Sequence, residues 1–171
     1  MKENILLFVT SNLAVRRLVP DDAELLYKYS KEASNRELPN DIFDSLEDAK
    51  RRLDLVIANY RIEHLPVYFG VVLKSENRLI GVLSYKRMPD YNIMINFSIA
   101  EEYQHHGYAT ELIRAAGDNV KEHLSVDKAF VCIRSSNEHA RRALEAAGFC
   151  LVEEGEHEWY GTKQPICKYR I

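Results

Sequence analysis

Ten consecutive residues, Glu101-Glu102-Tyr103-Gln104-His105-His106-Gly107-Tyr108-Ala109-Thr110, carry the clearest chemical signal in the chain. A β-branched and aromatic run precedes them and an apolar stripe of helical period follows, so they mark a turn from strand to helix. The first amides of a helix have no acceptor within it, and the helix dipole adds partial positive charge; together these make an anion site. Gly107 and Ala109 are small enough to let a diphosphate approach the backbone closely. The histidines suggest no second chemistry. His105 and His106 are adjacent and point apart, and no His-x-x-x-His pair supplies metal-ligand spacing on one helix, so no metal is expected. Cys132, Cys150 and Cys167 are odd in number and widely spaced. They fit neither a disulfide framework nor a zinc pattern and read as buried small hydrophobes in a reducing compartment.

The elements around this turn follow from period and punctuation. A strand-like start, Leu13 to Leu18, runs into Pro20-Asp21-Asp22-Ala23-Glu24, where Asp21 and Glu24 have capping-box spacing; a first helix is expected to about Ala33. Residues 34–43 look irregular. Leu46, Ala49, Leu53, Val56, Ile57 and Tyr60 then form the apolar stripe of a second helix, capped by Ser45 or Asp44. Val67 to Leu73, Arg78 to Arg87 and Tyr91 to Ala100 read as a three-stranded antiparallel meander, with hairpin-sized breaks at Lys74 to Asn77 and Met88 to Asp90. A third helix carries Ala109, Leu112, Ile113, Ala116, Val120 and Leu124 on one face, and a strand follows at Lys128 to Arg134. A fourth helix begins near Ser135, whose spacing to Glu138 fits a capping box, and stops at Gly148. Strands at Cys150 to Glu154 and Pro165 to Ile171 finish the chain. The strand, helix, strand unit from Tyr91 to Arg134 requires a crossover, so the sheet is expected to be mixed. Ligands of such sheets sit where strands end and helices begin, which is where residues 100–110 stand.

Gln104-x-x-Gly107-x-Ala109 resembles the pyrophosphate-binding motif (Q/R-x-x-G-x-G/A) of the GNAT superfamily of N-acetyltransferases. A second signature of that family, an Asn opening the following helix and a Gly-Phe closing it, is matched by Asn137, Ala140, Leu144, Glu145, Gly148 and Phe149. Leu13 to Leu18 followed by Asp22-Ala23, and Arg78-Leu79-Ile80-Gly81 leading the third strand, extend the resemblance over nearly the whole chain. It is most similar to the ribosomal-protein N-terminal acetyltransferase branch (RimJ/RimL type). The resemblance implies an α/β (α+β) GNAT acyl-CoA N-acyltransferase fold. In it a mixed central sheet of about seven strands is flanked by four helices, and the fourth and fifth strands splay apart. Acetyl-CoA would lie in that cleft. Its pantetheine would pair with backbone at Phe97, Ser98 and Ile99, and its pyrophosphate with amides of the Gln104, His105, His106, Gly107, Tyr108, Ala109 and Thr110 segment. Asn137 would meet the pantetheine arm, and Arg142 of the fourth helix would reach a phosphate.

The implied reaction is direct attack by an amine on the thioester, with a backbone amide stabilising the carbonyl oxygen. Only the neutral amine attacks. An α-amino group with pKa about 7.8 is roughly a tenth neutral at pH 7, whereas a lysine is neutral less than about one time in a thousand. An N-terminal acceptor therefore needs less from a base. Departures from the family pattern fall on proton handling. Leu144 stands where many members place a tyrosine acid, Ala140 where the N-terminal branch has a serine, and Met94 where a strand glutamate is frequent. Glu158, in Glu156-His157-Glu158-Trp159-Tyr160-Gly161, resembles a glutamate in the final hairpin of that branch, with Trp159 and Tyr160 able to line an amine pocket. The resemblance thus implies an acetyl-CoA-dependent transferase acting on a protein N-terminus or small amine. A catalytically weak CoA-binding sensor or interaction module on the same scaffold is the alternative.

Length and composition bound the rest. A chain of 171 residues, 46% hydrophobic and 29% charged, fits a single globular domain over 1–171. With 23 Lys and Arg against 26 Asp and Glu, the net charge of −3 argues against binding nucleic acid by phosphate neutralisation. Ile5 to Val9 is too brief for a signal peptide's apolar region, and no run approaches the roughly 18 residues of a membrane span. A cytoplasmic monomer or homodimer, without a membrane partner, is expected.

Overall fold

Successive side chains of a strand face opposite sides of its sheet, and here both sides are covered by helices, so nearly every residue of the middle strands is buried. The computed structural model describes residues 5–34, 42–60, 67–124, 126, 128–159 and 161–171. Its strands are β1 (Leu6–Val9), β2 (Leu13–Arg17), β3 (Val67–Leu73), β4 (Arg78–Arg87), β5 (Ile93–Ile99), β6 (Ala129–Arg134), β7 (Cys150–Trp159) and β8 (Thr162–Arg170). The helices are α1 (Ala23–Ser30), α2 (Leu46–Asn59), α3 (Tyr108–His123) and α4 (Glu138–Ala146). One sheet orders the strands β1-β2-β3-β4-β5-β6-β8-β7, and only the β5–β6 pair is parallel. The α3 crossover that joins β5 to β6 imposes that direction.

The two faces bury separate apolar clusters. Val71, Ile80, Leu83, Ile93 and Ile95 pack with Leu112, Ile113 and Val120 of α3 and Leu144 of α4. Leu18, Val72 and Leu79 pack with Leu26 of α1 and Leu53 of α2. A bulge in β4 helps set this partition. Val71 pairs with Gly81 and Val72 with Leu79, which leaves Ile80 as the extra residue. Leu79 and Val82, three apart, thereby share the α1/α2 side.

The expected order of elements holds, and four local readings change. The sheet has eight strands, because the Ile5 to Val9 run that looked like an isolated apolar stretch folds back on β2 as an edge strand. The final hairpin is longer than expected, since residues 155–158 and 162–164 continue pairing well beyond the buried rungs. Asp21 and Glu24 do not form the first cap. Asp22 instead accepts from Val19 N at 2.8 Å and from both Arg16 nitrogens at 2.7 and 2.8 Å, making a buried pair that joins β2 to α1. Likewise Asn137, not Ser135, caps α4: its side chain accepts from Ala140 N at 3.1 Å. Ser45 does cap α2, accepting from Asp48 N at 3.1 Å. Of the three cysteines, all free, Cys167 is buried, Cys132 half-buried and Cys150 exposed, the last because β7 is an edge strand.

Gly81 of β4 faces Ile99 of β5 with no room for a side chain. A Cβ there would overlap the Ser98 carbonyl oxygen and press on Ile99. Gly81→Ala is therefore expected to cost about 1–3 kcal/mol of unfolding free energy through overpacking. Urea denaturation checks it, and an unchanged midpoint would show that the two strands are free to part.

Candidate active site

β5 and β6 begin as partners and then separate. Their ladder holds two rungs, Ile93 with Ala129 and Met94 with Phe130, after which β6 pairs only with β8. Strand parity shows what this leaves open. Ile93 N donates toward β6, to Lys128 O at 3.5 Å, and Ala100 N donates toward β4, to Ile80 O at 2.8 Å. Main-chain groups alternate sides along an unbulged strand, so those of Phe97 and Ile99 face the gap while those of Ser98 face the β4 ladder. Of the three β5 residues expected to offer backbone, Phe97 and Ile99 are placed to do so. Ser98 offers its side chain, on the opposite face of the sheet.

The turn that follows β5 is built to leave amides unpaired. Gln104 Nε2 donates to Ile99 O at 2.8 Å and to Ser34 Oγ at 3.3 Å, tying the turn to the strand end. Two residues of the turn are left-handed, His105 at φ 63° and Gly107 at φ 82°. A left-handed conformation costs an L-residue roughly 1–2 kcal/mol, so His105 is held there against its preference. Its ring meets His139 of α4 edge to face, with centroids 4.7 Å apart. His106 Nδ1 lies 2.7 Å from Gln104 O, and its ring stacks on Tyr108 at 5.6 Å. Gly107 then caps α3 with no side chain, and a Cβ added there meets nothing within 4 Å. Among the described residues, no protein group accepts from the amides of His105 to Thr110; the first helical bond is Glu111 N to Gly107 O at 3.1 Å. The amides of Tyr108 to Thr110 open the positive end of α3, an arrangement suited to phosphate oxygens.

The start of α3 is fixed from the far side. Glu111 accepts from Thr10 Oγ1 at 2.5 Å, from Asn12 N at 2.7 Å and from Asn12 Nδ2 at 2.8 Å, pinning the helix to the β1–β2 turn. Burial alone would raise the Glu111 carboxyl, but the hydrogen bonds from Asn12 and Thr10 outweigh it and hold it below the usual carboxylate range. A carboxylate in the first turn would otherwise repel an incoming anion; here three donors occupy it. On α4, Asn137 uses its side-chain carbonyl as the cap, and its amide hydrogens take no part in that bond. Arg142 is exposed and lies 3.6 Å from Glu138 on the same helix. Leu144 is fully buried, so nothing at that position can move a proton.

Glu158 stands exposed on the β7–β8 hairpin, opposite Lys163. Among the described residues no hydrogen bond or ion pair joins it to the turn or to the β5 edge. That hairpin overhangs the end of β6 at which the gap opens, since Ser135 N still bonds Pro165 O at 2.9 Å and the strands run on from there. Tyr160 and the side chain of Trp159 lie outside the described residues. No group of three or more His, Cys, Asp or Glu able to hold a metal occurs among the described residues. No described helix is long and apolar enough to cross a membrane.

A feature that sequence reading missed lies on the other face of β5. A cavity of about 370 Å³ opens between the sheet and helices α1 and α2. Ser98 and Ala100 of β5 and Gly81 of β4 line its sheet side; Leu26 and Tyr29 of α1 and Leu53 and Val56 of α2 line its helix side. The Tyr29 hydroxyl donates to Leu79 O at 2.9 Å, and burial pushes its pKa up, so it stays a neutral phenol. The apolar stripe of α2 and the glycine in Leu79-Ile80-Gly81 carried the trace of this cavity, but a stripe alone does not distinguish a packed face from one that stops short of the sheet.

A free strand edge leading to a row of unpaired amides is the arrangement of a family of acyl-group transferases. The family model of the acetyltransferase (GNAT) domain matches residues 12–150, and the chain belongs to that family. In fold it is similar to a GNAT-family acetyltransferase from Bacillus anthracis, at 18% identity, TM-score 0.82 and 98% of each chain covered. It is also similar to the ribosomal-protein-S5-alanine acetyltransferase from Vibrio fischeri, at 22% identity and TM-score 0.78, covering 98% of this chain and 96% of that one. A third similar structure is RimL, the ribosomal L7/L12 alpha-N-protein acetyltransferase, in complex with coenzyme A, at 15% identity and TM-score 0.81 with 97% of each chain covered. No curated protein matches the chain in sequence.

Gly107 tests the geometry of the turn apart from any reaction. Because space is open around it, Gly107→Ala meets no clash and suffers only the left-handed backbone, a loss of about 1 kcal/mol in stability. Thermal unfolding reads that loss. Titration with coenzyme A is expected to show a weaker Kd than the parent, because relief of the strain turns the amides away.

Proposed function

We propose that residues 1–171 act as one acetyltransferase domain that moves an acetyl group from acetyl-CoA to a primary amine, a protein N-terminus or a small amine. The observation that carries this reading is the continuity of two unpaired main-chain runs. The β5 edge, at the main chain of Phe97 and the N–H of Ile99, suits the amides of pantetheine, and the amides of His105 to Thr110 suit the pyrophosphate of CoA. Gln104 couples the runs through Ile99 O, Asn137 turns its free amide hydrogens toward the arm, and Arg142 supplies a mobile charge at the phosphates. The amine lone pair attacks the thioester carbonyl carbon, a main-chain N–H of the β5 edge holds the oxygen, and the C–S bond breaks to release the CoA thiolate. The amine proton goes through water to Glu158, and water protonates the thiolate, since Leu144 and Ala140 offer no acid.

The ribosomal-protein enzymes that share the fold favour a protein N-terminus as acceptor. That choice also suits a site poor in proton-handling side chains, because an α-amine supplies its own neutral fraction. Three free cysteines fit a reducing cytoplasmic setting, as monomer or homodimer.

A second reading rests on Leu144, Ala140 and Met94, which leave acid and base unassigned on α4 and β5: the chain binds CoA and signals without turnover. Calorimetric titration with acetyl-CoA and release of free thiol across an amine panel separate the two. Saturable binding with thiol release supports the transferase, and binding without release supports the sensor. No saturable binding by about 1 mM refutes both.

Two further outcomes follow for a transferase. The kcat/KM for an N-terminal peptide is expected to rise about tenfold per unit between pH 6 and 7, then level off above the α-amine pKa of about 7.8, because only the neutral amine attacks. Glu158→Gln is expected to lower kcat by about 10²-fold with an unchanged acetyl-CoA Kd; full turnover in that variant removes Glu158 from the mechanism.

A further inference from the structure

The cavity between α1, α2 and the sheet lies against the strand that the proposed reaction uses. Ser98 and Ala100 line it, and they alternate along β5 with Phe97 and Ile99, whose main-chain groups face the gap. An acceptor seated in the cavity therefore reaches the reacting end of the β5 edge from the α1/α2 side, while the anion-binding turn leads onto α3 on the opposite side. The chemistry of its walls is selective. Among the described residues no carboxylate lines it. The one charged residue among the described wall residues is Arg52, whose guanidinium sits over the Phe43 ring at 5.4 Å and pairs with Asp48 at 3.0 Å. The remainder of the helix-side wall is hydrocarbon and aromatic: Leu26, Leu53, Val56, Tyr29 and Phe43.

We propose that this cavity holds a large apolar group attached to the acceptor's amine, such as an aromatic or branched aliphatic first side chain, and that the enzyme selects such amines over polyamines and polar N-termini. The inference rests on the transferase reading and names its substrate class. A volume of about 370 Å³ lies in the range of pockets that enclose a small organic group. Burying such a side chain stabilises the complex through the hydrophobic effect. A second ammonium, as in a polyamine, would lose its water and find no carboxylate to replace it. The same dryness, with Arg52 nearby, favours the neutral form of the reacting amine, which is the form that attacks. The wall therefore assists the chemistry that the missing side-chain base leaves undone.

The test measures thiol release from acetyl-CoA with peptides identical except for a first residue of Phe, Leu, Ser or Lys, together with phenethylamine and spermidine. Peptide and amine arms separate an N-terminal source of the apolar group from a small-molecule one. The Phe and Leu peptides or phenethylamine are expected to exceed the Ser peptide and spermidine by about tenfold or more in kcat/KM. Val56→Trp, which fills the helix side of the cavity, is expected to raise KM for the preferred acceptor while the acetyl-CoA Kd stays as in the parent. Val56→Ala, a milder change, is expected to shift preference toward the larger group. Preference for spermidine or the Lys peptide, or rates within about twofold across the panel, would overturn the inference and leave the transferase reading standing. Acetyl-CoA binding without transfer to any acceptor overturns the inference as well. Loss of acetyl-CoA binding itself removes the reading on which it rests.

Discussion

A parallel strand pair that stops after two rungs is the constraint from which the rest of this molecule follows. Main-chain N–H and C=O groups away from water must find partners, and a strand end that lacks them inside a sheet is costly. Here the cost is limited on three sides. β6 turns to β8 for its full length, Gln104 takes the Ile99 carbonyl, and the remaining β5 groups face a gap rather than a packed core. What stays unpaired is a short donor and acceptor edge, aligned with helix-end amides a few residues further along the chain. In the proposed reading recognition runs through main chain, which lets these elements tolerate unusual side chains. His105 sits where a glycine would be unstrained, and the amides are still presented.

Holding such an edge open requires rigid surroundings, and the polar contacts that supply them are spread over distant parts of the chain. Glu111 ties α3 to the β1–β2 turn, almost a hundred positions earlier in the chain, and Asn137 closes the first turn of α4. The Arg16–Asp22 pair fixes α1 to β2 with two hydrogen bonds in a largely buried setting, and Asp22 holds the Arg16 guanidinium firmly charged. Such a pair contributes less by its own strength than by penalising any arrangement in which one partner is left alone.

Most of the fold was legible because periods and punctuation agree locally. The α2 stripe with Ser45 before it, the β3–β4–β5 meander with short breaks, and Gly148 after α4 each carry one consistent message. The misreadings fall where partners are distant in sequence. β1 is too short to announce itself, and only pairing with β2 makes it a strand. Asp22 rather than Asp21 became the capping side chain because Arg16, on a neighbouring strand, captures it. The turn of unpaired amides could be read from Gln104, Gly107 and Ala109, since a helix end leaves its first amides without acceptors. The cavity could not be read, because it depends on a helix standing off from a sheet, and residue types do not report that distance.

The absence of proton-handling side chains and the apolar cavity are two aspects of one solution. Leu144 is packed into the α3/α4 core and Ala140 is nearly buried beside it, so α4 contributes packing and its helix end rather than an acid. An enzyme so equipped must lower the barrier by placing a neutral amine against a thioester whose carbonyl oxygen meets a fixed amide. In the proposed reading, a pocket whose described helix-side wall is mostly hydrocarbon and aromatic, with Tyr29 kept neutral by burial, shifts an entering ammonium toward its free base. On that proposal the wall that selects the acceptor also takes over part of the task a base performs in other sites. In the proposed mechanism the exposed Glu158 then needs only to receive a proton already loosened.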